Sequence, residues 1–361
     1  MLIRVEPFGK VNGNPCELYT LKNSSGAYVK ITNSSGAITA ICVPDKKGTL
    51  DNVALGFQDV KQYVKNDGFL GALIGPVGNR IAGASFEFDG KKYAFAPNEN
   101  GSTLLHSGNF GFHAGIWDAV AEADEKEARL ILKRDFPNEK TGFPGNLSVT
   151  VTYTFTEKNE LKIHYAAESD KESFLSPTNH TYFNIAGLGA KRVPGIERQK
   201  MEIFADHYTA VDEKCIPTGT EKVDGTPFDL RSPVKIGDGL AHENENEQMR
   251  FGTGYDHNFV LSSPVDEETG LRMAARVTDD RTGRVMSVFT DMPCVQFYAA
   301  NHLNRWNAAE RRFYKKRQAL CLETQCAPDS VHHEGEFGFT VWKVAPDKPF
   351  SSTTVYAFGV K

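Results

Sequence analysis

Apolar and polar residues alternate along much of this chain. The clearest case is LSVTVTYTF at residues 147–155, where leucine, valine, tyrosine and phenylalanine occupy every second position. A period of two puts all of these side chains on one face of an extended segment, so the stretch predicts a strand with one buried face. LKIHYAA, RVMSVF and TTVYAF alternate in the same way.

Turn and helix signals complete the pattern. In FEFDGKKYAF an Asp-Gly dipeptide separates two alternating runs, which predicts a β-hairpin. Helical spacing is convincing only in FQDVKQYVKN, whose apolar residues share one face of a short helix: Phe57, Val60, Tyr63 and Val64. The predicted fold class is therefore all-β, with few short helices.

The chain is expected to form one large domain over residues 1–361. A length of 361 residues is enough for two domains, but the sequence has no linker rich in Pro, Gly or Ser and no long block of like charge. It also lacks an internal repeat of roughly 20 to 50 residues. A single domain is the simpler expectation.

The composition and the N-terminal sequence indicate which classes of partner and which cellular location to expect. The formal net charge is -5, from 41 basic and 46 acidic residues, so no basic excess attracts nucleic acid or anionic lipid. The N-terminus MLIRVEPFGKVNG has charges where a signal peptide needs apolar residues, and no run approaches the ~18 apolar residues of a membrane span. We therefore expect a cytoplasmic protein whose cysteines are reduced thiols: Cys16, Cys42, Cys215, Cys294, Cys321 and Cys326.

Several predicted strands contain polar side chains where a β core is expected. If TNHTYFN is extended, His180, Tyr182 and Asn184 share one face. Three other segments group polar residues in the same way: Cys321, Glu323 and Gln325; Asp256 and Asn258; Gln296 and Tyr298. A charged residue is rarely buried without a partner or a role. A buried hydrogen-bond network explains any one of these residues, but together they indicate a site.

Seven segments, in order along essentially the whole chain, are similar to those of a known family. They are GNRIAGASF, STLLHSG, SPTNHTYFN, IPTGTEKVDGTPFDLR, GYDHNFVL, VQFYAANHL and LCLETQ. The chain resembles the aldose 1-epimerase family. The resemblance implies a single large, twisted, antiparallel β-sandwich with a sugar-binding cleft on one curved face, and a small-molecule aldose as the substrate.

The resemblance also implies roles for individual residues. Glu323, in the LETQ motif, is implied to be the general base, and His180, in the NHTYFN motif, the general acid. The residues implied to contact sugar oxygens are Asn79, Arg80, His106, Tyr182, Asp256 and Gln296. The sequence departs from the family pattern in GPVGNR around Pro76 to Gly78, at Ser107 in LHSG, and at Cys326 after LETQ.

Exchange of two anomers accounts for these residue types. A base must remove the proton of the C1 hydroxyl and an acid must protonate the ring oxygen, after which the open aldehyde rotates and closes again. Ordinary pKa values near ~4.3 for Glu and ~6.5 for His leave the glutamate ionised and the histidine mostly neutral at neutral pH. The carboxylates Asp256 and Glu323 are then expected to raise the pKa of His180. No metal, nucleotide or other cofactor is required.

Four alternatives remain open from the sequence. His106, His180, Asp256 and Glu323 are all metal-ligand types, although none forms a local motif such as HExxH. Asp256 and Glu323 are compatible with the two carboxylates of a glycosidase. The same cleft is compatible with a non-catalytic sugar-binding protein.

The fourth alternative is a phosphosugar 1-epimerase. Its only candidate phosphate clamp is RRFYKKR, with five basic residues between Arg311 and Arg317. A solvated charged loop is the more common explanation for such a run.

Overall fold

The computed structural model describes residues 1–190 and 193–361. The described chain is dominated by strands, which confirms the all-β prediction. The strands of its first part are β1 (Leu2–Val11), β2 (Asn14–Lys22), β3 (Tyr28–Thr32), β4 (Ile38–Pro44), β5 (Leu50–Asn52), β6 (Leu73–Ile74), β7 (Arg80–Ile81), β8 (Ser85–Phe88), β9 (Lys91–Ala94), β10 (Leu104–Leu105), β11 (Asp118–Ala123), β12 (Glu127–Phe136), β13 (Leu147–Thr156), β14 (Glu160–Ser169), β15 (Ser173–Phe174) and β16 (Thr178–Asn179).

The second part continues in the same way. Its strands are β17 (Lys200–Ile203), β18 (Ala205–Val211), β19 (Pro217–Lys222), β20 (Val234–Lys235), β21 (Asp256–Leu261), β22 (Arg272–Thr278), β23 (Arg284–Thr290), β24 (Cys294–Tyr298), β25 (Asn304–Asn307), β26 (Arg312–Lys315), β27 (Cys321–Gln325), β28 (Lys343–Val344) and β29 (Phe350–Val360). The helices are short: α1 (Val60–Val64), α2 (Asn138–Thr141), α3 (Ile236–Leu240) and α4 (Glu247–Phe251), with 3-10 turns at Ala82–Ala84 and Gly108–Phe110.

Three antiparallel sheets make up most of the fold. The N-terminal sheet contains β1 to β5 in chain order, and the large sheet has the order β11-β12-β13-β14-β29-β23-β22-β17-β20. A third sheet, here called the cleft sheet, has the order β19-β18-β21-β24-β27. Side chains from all three sheets share one hydrophobic core. No helix in the described ranges is long and apolar enough to cross a membrane.

The alternating segments form strands as predicted. Strand β13 buries its apolar positions and leaves most of its serines and threonines more accessible. The predicted hairpin joins β8 to β9 with Phe86 opposite Tyr93. Its turn residues Asp89 and Gly90 have φ values of 49° and 67°, and positive φ at both central positions defines the tight turn that suits twisted strands.

The predicted helix forms, but the prediction that Val64 lies on its buried face is wrong. In α1 the side chain of Asp59 accepts a hydrogen bond from the Lys61 backbone N–H and so caps the helix. Val60 and Tyr63 are buried, whereas Val64 is 56% exposed. Neighbouring residues on a helix point about 100° apart. Because Tyr63 faces the core in a helix of little more than one turn, Val64 faces solvent.

Strand β27 of the cleft sheet differs from strands such as β13 of the large sheet because both of its faces are covered. One face of β27 packs on β29 of the large sheet, where the hydroxyl of Tyr356 donates a 3.0 Å hydrogen bond to the carbonyl of Leu322. All five residues of β27 are buried. The polar residues on the opposite face of β27 are therefore withdrawn from bulk water before any ligand binds.

Candidate active site

Strand register aligns the polar residues of the cleft sheet. In β21, β24 and β27, Asn258 lies opposite Gln296, and Gln296 lies opposite Glu323. Asp256 lies opposite Tyr298 one pair along. Side chains of cross-strand partners point to the same face. The face predicted for each segment from its alternation is thus confirmed, and the register joins the segments into one polar surface.

Most of the predicted site residues meet around one cleft beside this surface. Those that line it are Asn79, Arg80, His106, His180, Tyr182, Asp256 and Glu323. Gln296 lies beneath them, where its Nε2 donates a 2.7 Å hydrogen bond to Oδ1 of Asp256. A direct role for Gln296 in sugar binding stays a prediction, as do the roles of the other residues.

The extended arrangement predicted for TNHTYFN is only partly correct. His180 and Tyr182 do line the cleft, but the ladder ends at Asn179. Asn184 points elsewhere, since its Nδ2 donates to the carbonyl oxygens of Pro194 and Gln318. This side chain holds two loops together, and strict alternation fails because the segment leaves the sheet.

Glu323 and His180 form the centre of the cleft. The distance from Nε2 of His180 to Oε1 of Glu323 is 3.7 Å, and both side chains are buried. The other carboxyl oxygen of Glu323, Oε2, has no hydrogen-bond partner within the described ranges. A buried polar atom without a partner is costly, so this shielded oxygen adds to the cost of ionising Glu323.

Burial sets the proton affinities of this pair. Desolvation raises the pKa of Glu323 to about 8, assisted by the negative charge of Asp256 and opposed by Arg80. Desolvation also lowers the pKa of His180 to about 4. The expectation that neighbouring carboxylates raise the pKa of His180 is wrong, because desolvation outweighs them. Glu323 is largely uncharged where His180 titrates, so it offers little to stabilise an imidazolium.

His106 is held as a neutral hydrogen-bond donor. Its Nδ1 accepts a 3.1 Å hydrogen bond from the backbone N–H of Asn79, so the ring proton resides on Nε2. Burial, followed by the positive charges of His180 and Arg80, places the pKa of His106 well below its ordinary value. The ring also packs edge-on against Phe69, with centroids 4.8 Å apart.

Arg80 is fixed by two acidic residues. Its Nε and Nη2 donate to Glu99 at 2.7 and 2.9 Å, and Nη2 lies 3.7 Å from Oδ2 of Asp256. Burial lowers the pKa of Arg80, but the charges of Asp256 and Glu99 outweigh this and raise it overall. The guanidinium is therefore a permanent charge in the cleft. The sequence motifs did not indicate Glu99, which lies in a loop without periodicity.

Other lining residues were also missed. Besides Glu99, they include Asp67, Phe69, His302 and Arg305. Asp67, Phe69 and His302 lie in connecting segments, and Arg305 lies on the short strand β25, outside the cleft sheet. Alternation within the strands of the cleft sheet could have indicated Tyr298, which shares a face with Gln296, but not these four residues.

Tyr182 contacts the centre of the cleft through its ring. The ring stacks on His180 with centroids 5.0 Å apart. Its hydroxyl donates a 2.9 Å hydrogen bond to the carbonyl of Gly68, which leaves only an oxygen lone pair for a ligand. The arrangement therefore fixes the imidazole plane as well as shaping the cleft.

Two departures from the family pattern meet in space. Ser107 has φ of 62°, a left-handed conformation that favours the glycine usual at this position. Its hydroxyl accepts from the backbone N–H of Val77 and donates to the Val77 carbonyl, both at 2.9 Å. Ser107 thereby ties the GPVGNR segment to the LHSG segment and holds Asn79 and Arg80 beside His106.

The hydrogen bonds of His106 do not fit the alternative in which these residues bind a metal ion. Ligand atoms of His106, His180 and Glu323 lie within 4.8 Å of one another. However, Nε2 of His106 bears the proton, because Nδ1 accepts from a backbone N–H. A ligating histidine has the opposite arrangement and donates from its other nitrogen. Two remaining ligands are fewer than a catalytic zinc site uses.

The basic run between Arg311 and Arg317 lies outside the cleft, and several of its side chains form ion pairs there. Nη2 of Arg317 and Nζ of Lys316 both contact Glu243, and Arg312 pairs with Glu310. Within the described ranges, no residue of the run lines the cleft. A phosphate clamp at this position has no support from the geometry.

A strand-built cleft with a desolvated carboxyl group beside an imidazole defines an acid–base enzyme for a small polar molecule. Comparisons with known proteins agree: the family model "Aldose 1-epimerase" matches residues 17–357. The chain belongs to the aldose 1-epimerase family, whose members are isomerases.

Two relatives and one solved structure illustrate the similarity. The galactose mutarotase of Sus scrofa is 36% identical over 334 residues, covering 92% of this chain and 91% of its own. The aldose 1-epimerase of Escherichia coli K12 is 33% identical over 348 residues, covering 96% of both chains. The crystal structure of a galactose 1-epimerase from Lactobacillus acidophilus has a TM-score of 0.83 at 25% identity, covering 99% of both chains.

Proposed function

We propose that this protein is a mutarotase that interconverts the α and β anomers of free hexoses such as galactose and glucose. The observation that carries the proposal is the buried pair of Glu323 and His180, whose Oε1 and Nε2 atoms are 3.7 Å apart in the cleft. The similarity to a galactose mutarotase and to an aldose 1-epimerase supports this substrate class.

Ring opening needs one proton shared between the two residues. In the reactive arrangement Glu323 is a carboxylate and His180 an imidazolium. Glu323 takes the proton of the C1 hydroxyl, the electrons form the C1 carbonyl, the bond from C1 to the ring oxygen breaks, and His180 protonates that oxygen. The result is a protonated Glu323 and a neutral His180, which is the arrangement that burial favours.

Ring closure reverses these roles. After rotation about C1–C2, neutral His180 takes the proton of the ring hydroxyl, and the protonated Glu323 returns a proton to the C1 oxygen. Both directions use the same single proton, so no net proton enters or leaves. Sugar hydroxyls that donate to the Glu323 carboxylate favour its ionised form and so prepare the reactive arrangement.

The remaining groups are suited to hold a neutral polyol. Arg80 and the Nε2–H of His106 are donors and Asp256 is an acceptor. Asn79, whose backbone N–H donates to Nδ1 of His106, lines the same cleft. Gln296 supports Asp256 from below through its 2.7 Å hydrogen bond. Phe69 supplies an apolar surface against which the C–H face of a sugar ring can pack.

The proposal extends to organisation and location. We infer that residues 1–361 form one domain, supported by a core cluster with members from Tyr19 to Phe358. The acidic net charge of -5 supports a small molecule rather than nucleic acid or a membrane as the partner. We further infer a cytoplasmic enzyme.

Polarimetry tests the proposed function directly. Freshly dissolved α-galactose and α-glucose are followed with and without purified, chelator-treated protein, with methyl α-galactoside as the control sugar that has no free C1 hydroxyl. We expect faster approach to an unchanged final rotation for the free sugars and no change for the glycoside. A rate equal to that of buffer for all common aldoses contradicts the proposal, and release of phenol from an aryl galactoside favours a glycosidase.

A further inference from the structure

A buried thiol lies against the nitrogen of His180 that does not face Glu323. The distance from Sγ of Cys321 to Nδ1 of His180 is 3.5 Å, within the range of a hydrogen bond to sulfur. Cys321 is two residues before Glu323 on β27, so both side chains point to the same face. Nε2 of the same imidazole lies on the Glu323 side, 3.7 Å from Oε1.

The two contacts give the imidazole a fixed direction. The imidazole of His180 stacks on the ring of Tyr182. Its Nδ1 lies beside Cys321, and its Nε2 lies beside Glu323. A histidine that exchanges protons through one nitrogen needs the other nitrogen to stay protonated, and this is achieved by an acceptor beside it. Here the neighbour in hydrogen-bond range of Nδ1 is a sulfur atom.

We propose that Cys321 is a positioning residue whose sulfur accepts the Nδ1–H of His180, so that Nε2 is the nitrogen that exchanges a proton with the sugar. The inference rests on the proposed function for its kinetic consequence, but the hydrogen bond itself is independent of it. Cys321 does not touch the reacting atoms and acts only through His180.

The choice of sulfur suits a reaction that runs in both directions. A carboxylate beside Nδ1 strongly stabilises the imidazolium form, which keeps the proton on histidine. A neutral thiol is a weak acceptor and stabilises that form little. Burial, with the charges of Glu323 and Asp256, raises the pKa of the Cys321 thiol, so it stays neutral. His180 can then act as an acid in ring opening and as a base in ring closure.

The first test is nitrogen NMR of the sugar-free protein with isotopically labelled histidine at neutral pH, with His180 assigned by its loss in His180→Asn. We expect the Nδ1–H tautomer in the wild type and in Cys321→Ser, which keeps an acceptor, and a shift toward the Nε2–H tautomer in Cys321→Ala. An Nε2–H tautomer in the wild type, or no change in Cys321→Ala, overturns the proposal. This measurement is unaffected if the proposed activity is wrong.

The second test separates positioning from packing. Cys294→Ala is the matched control, because Cys294 is also buried in the cleft sheet, on the neighbouring strand β24. Both alanine variants are expected to lose similar stability. For galactose mutarotation, we expect Cys321→Ala to lower kcat by about tenfold with KM nearly unchanged, less than the ~100-fold or more for loss of general acid catalysis.

The remaining variants complete the second test. Cys321→Ser is expected to keep kcat near the wild-type value, and Cys294→Ala to leave both constants unchanged. If Cys321→Ala and Cys294→Ala reduce kcat equally, the thiol contributes packing alone. If Cys321→Ala does not fold, Cys321→Ser decides the question, because a large loss of kcat with the Nδ1–H tautomer unchanged means that the thiol does not act by orienting His180.

Discussion

The large sheet and the cleft sheet share the same alternating pattern of apolar and polar residues, but their polar residues lie in different environments. In β13 of the large sheet the polar positions are mostly serines and threonines that reach toward solvent. In β27 of the cleft sheet they are Glu323 and Gln325, and every residue of the strand is buried. Water solvates the first set and is excluded from the second. Alternation alone therefore defines a strand, while burial on both faces turns its polar side into a reactive surface.

The difference appears in the charged groups of the two sheets. Glu168 on β14 of the large sheet is exposed, whereas Glu323 on β27 is 2% exposed. Burial raises the pKa of Glu323 to about 8, a value suited to proton exchange near neutral pH. The same side chain is thus a solubilising group in one sheet and a candidate catalyst in the other.

Identical glutamate-to-glutamine changes in the two sheets give the largest contrast. Glu323→Gln keeps size but removes the proton acceptor, so we expect turnover to fall at least ~100-fold. Glu168→Gln should leave turnover unchanged, since its solvated carboxylate takes no part. Polarimetry on galactose measures both, after cooperative unfolding has shown that each variant is folded. Near wild-type turnover in Glu323→Gln makes Asp256 the next candidate for the base.

A histidine of the cleft and a histidine of the large sheet give a second matched pair. His180→Asn should lower turnover by roughly 100-fold while sugar binding stays within about tenfold, because one lost hydrogen bond is worth about 1 kcal/mol. His164→Asn is the control, since His164 lies on β14 and contacts Oγ1 of Thr353 at 3.1 Å. Saturation kinetics and titration of sugar binding separate the two effects. Lost affinity with preserved turnover leaves His180 as a binding residue only.

The pH profile sharpens the contrast between solvated and desolvated groups. In the reactive state Glu323 and His180 share one proton. The pair loses this proton above the Glu323 pKa of about 8, and it binds a second proton below the His180 pKa of about 4. We expect kcat/KM to be level between these values and to fall about tenfold per pH unit above pH 8. The spontaneous rate is subtracted at each pH. A rate that instead rises through pH 8 means that carboxylate and neutral imidazole form the active pair.

The pH dependence of stability should differ between the two glutamine variants. Glu323 has a raised pKa when folded and an ordinary one when unfolded, so the folded state keeps a proton that the unfolded state has lost. Wild-type stability therefore falls as pH rises toward 8. Glu323→Gln removes this loss, and we expect it to exceed wild type by about 2 to 5 kcal/mol at pH 8.5 but little at pH 5.

Urea unfolding at both pH values measures this difference. Glu168→Gln is the control, because it makes the same change at an exposed position. Equal stability of Glu323→Gln and wild type at the higher pH indicates that Glu323 is ionised without cost.

Charges outside the cleft should have the smallest effect. Arg311→Glu and Lys315→Glu reverse two exposed charges of the basic run without breaking the pairs that Arg312, Lys316 and Arg317 make. A neutral hexose offers these positions nothing to pair with, so kcat/KM should stay within about twofold. Assays with galactose and galactose 6-phosphate measure this. A preference for the phosphate that the variants abolish supports a phosphosugar epimerase.

The local pattern and the sequence motifs predicted most of the strands and most of the site. Alternation identified β13, the β8–β9 hairpin and the shared face of Cys321, Glu323 and Gln325, because these depend on neighbours in sequence. Seven of the eight proposed site residues line one cleft. Glu99, Phe69 and Arg305 were not indicated, since they reach the cleft from loops and from the short strand β25, whose positions depend on contacts distant in sequence.

What the sequence by itself determined was which residues lie on which face of each strand, because side-chain direction follows from backbone geometry alone. Only the tertiary structure decided what those faces meet. It placed Glu323 opposite His180, turned Asn184 away, and joined Ser107 to Val77 across the two departures from the family pattern. It also reversed the expected direction of the pKa shift of His180, which is lowered and not raised. Desolvation depends on everything packed around a group and not on its neighbours in the chain.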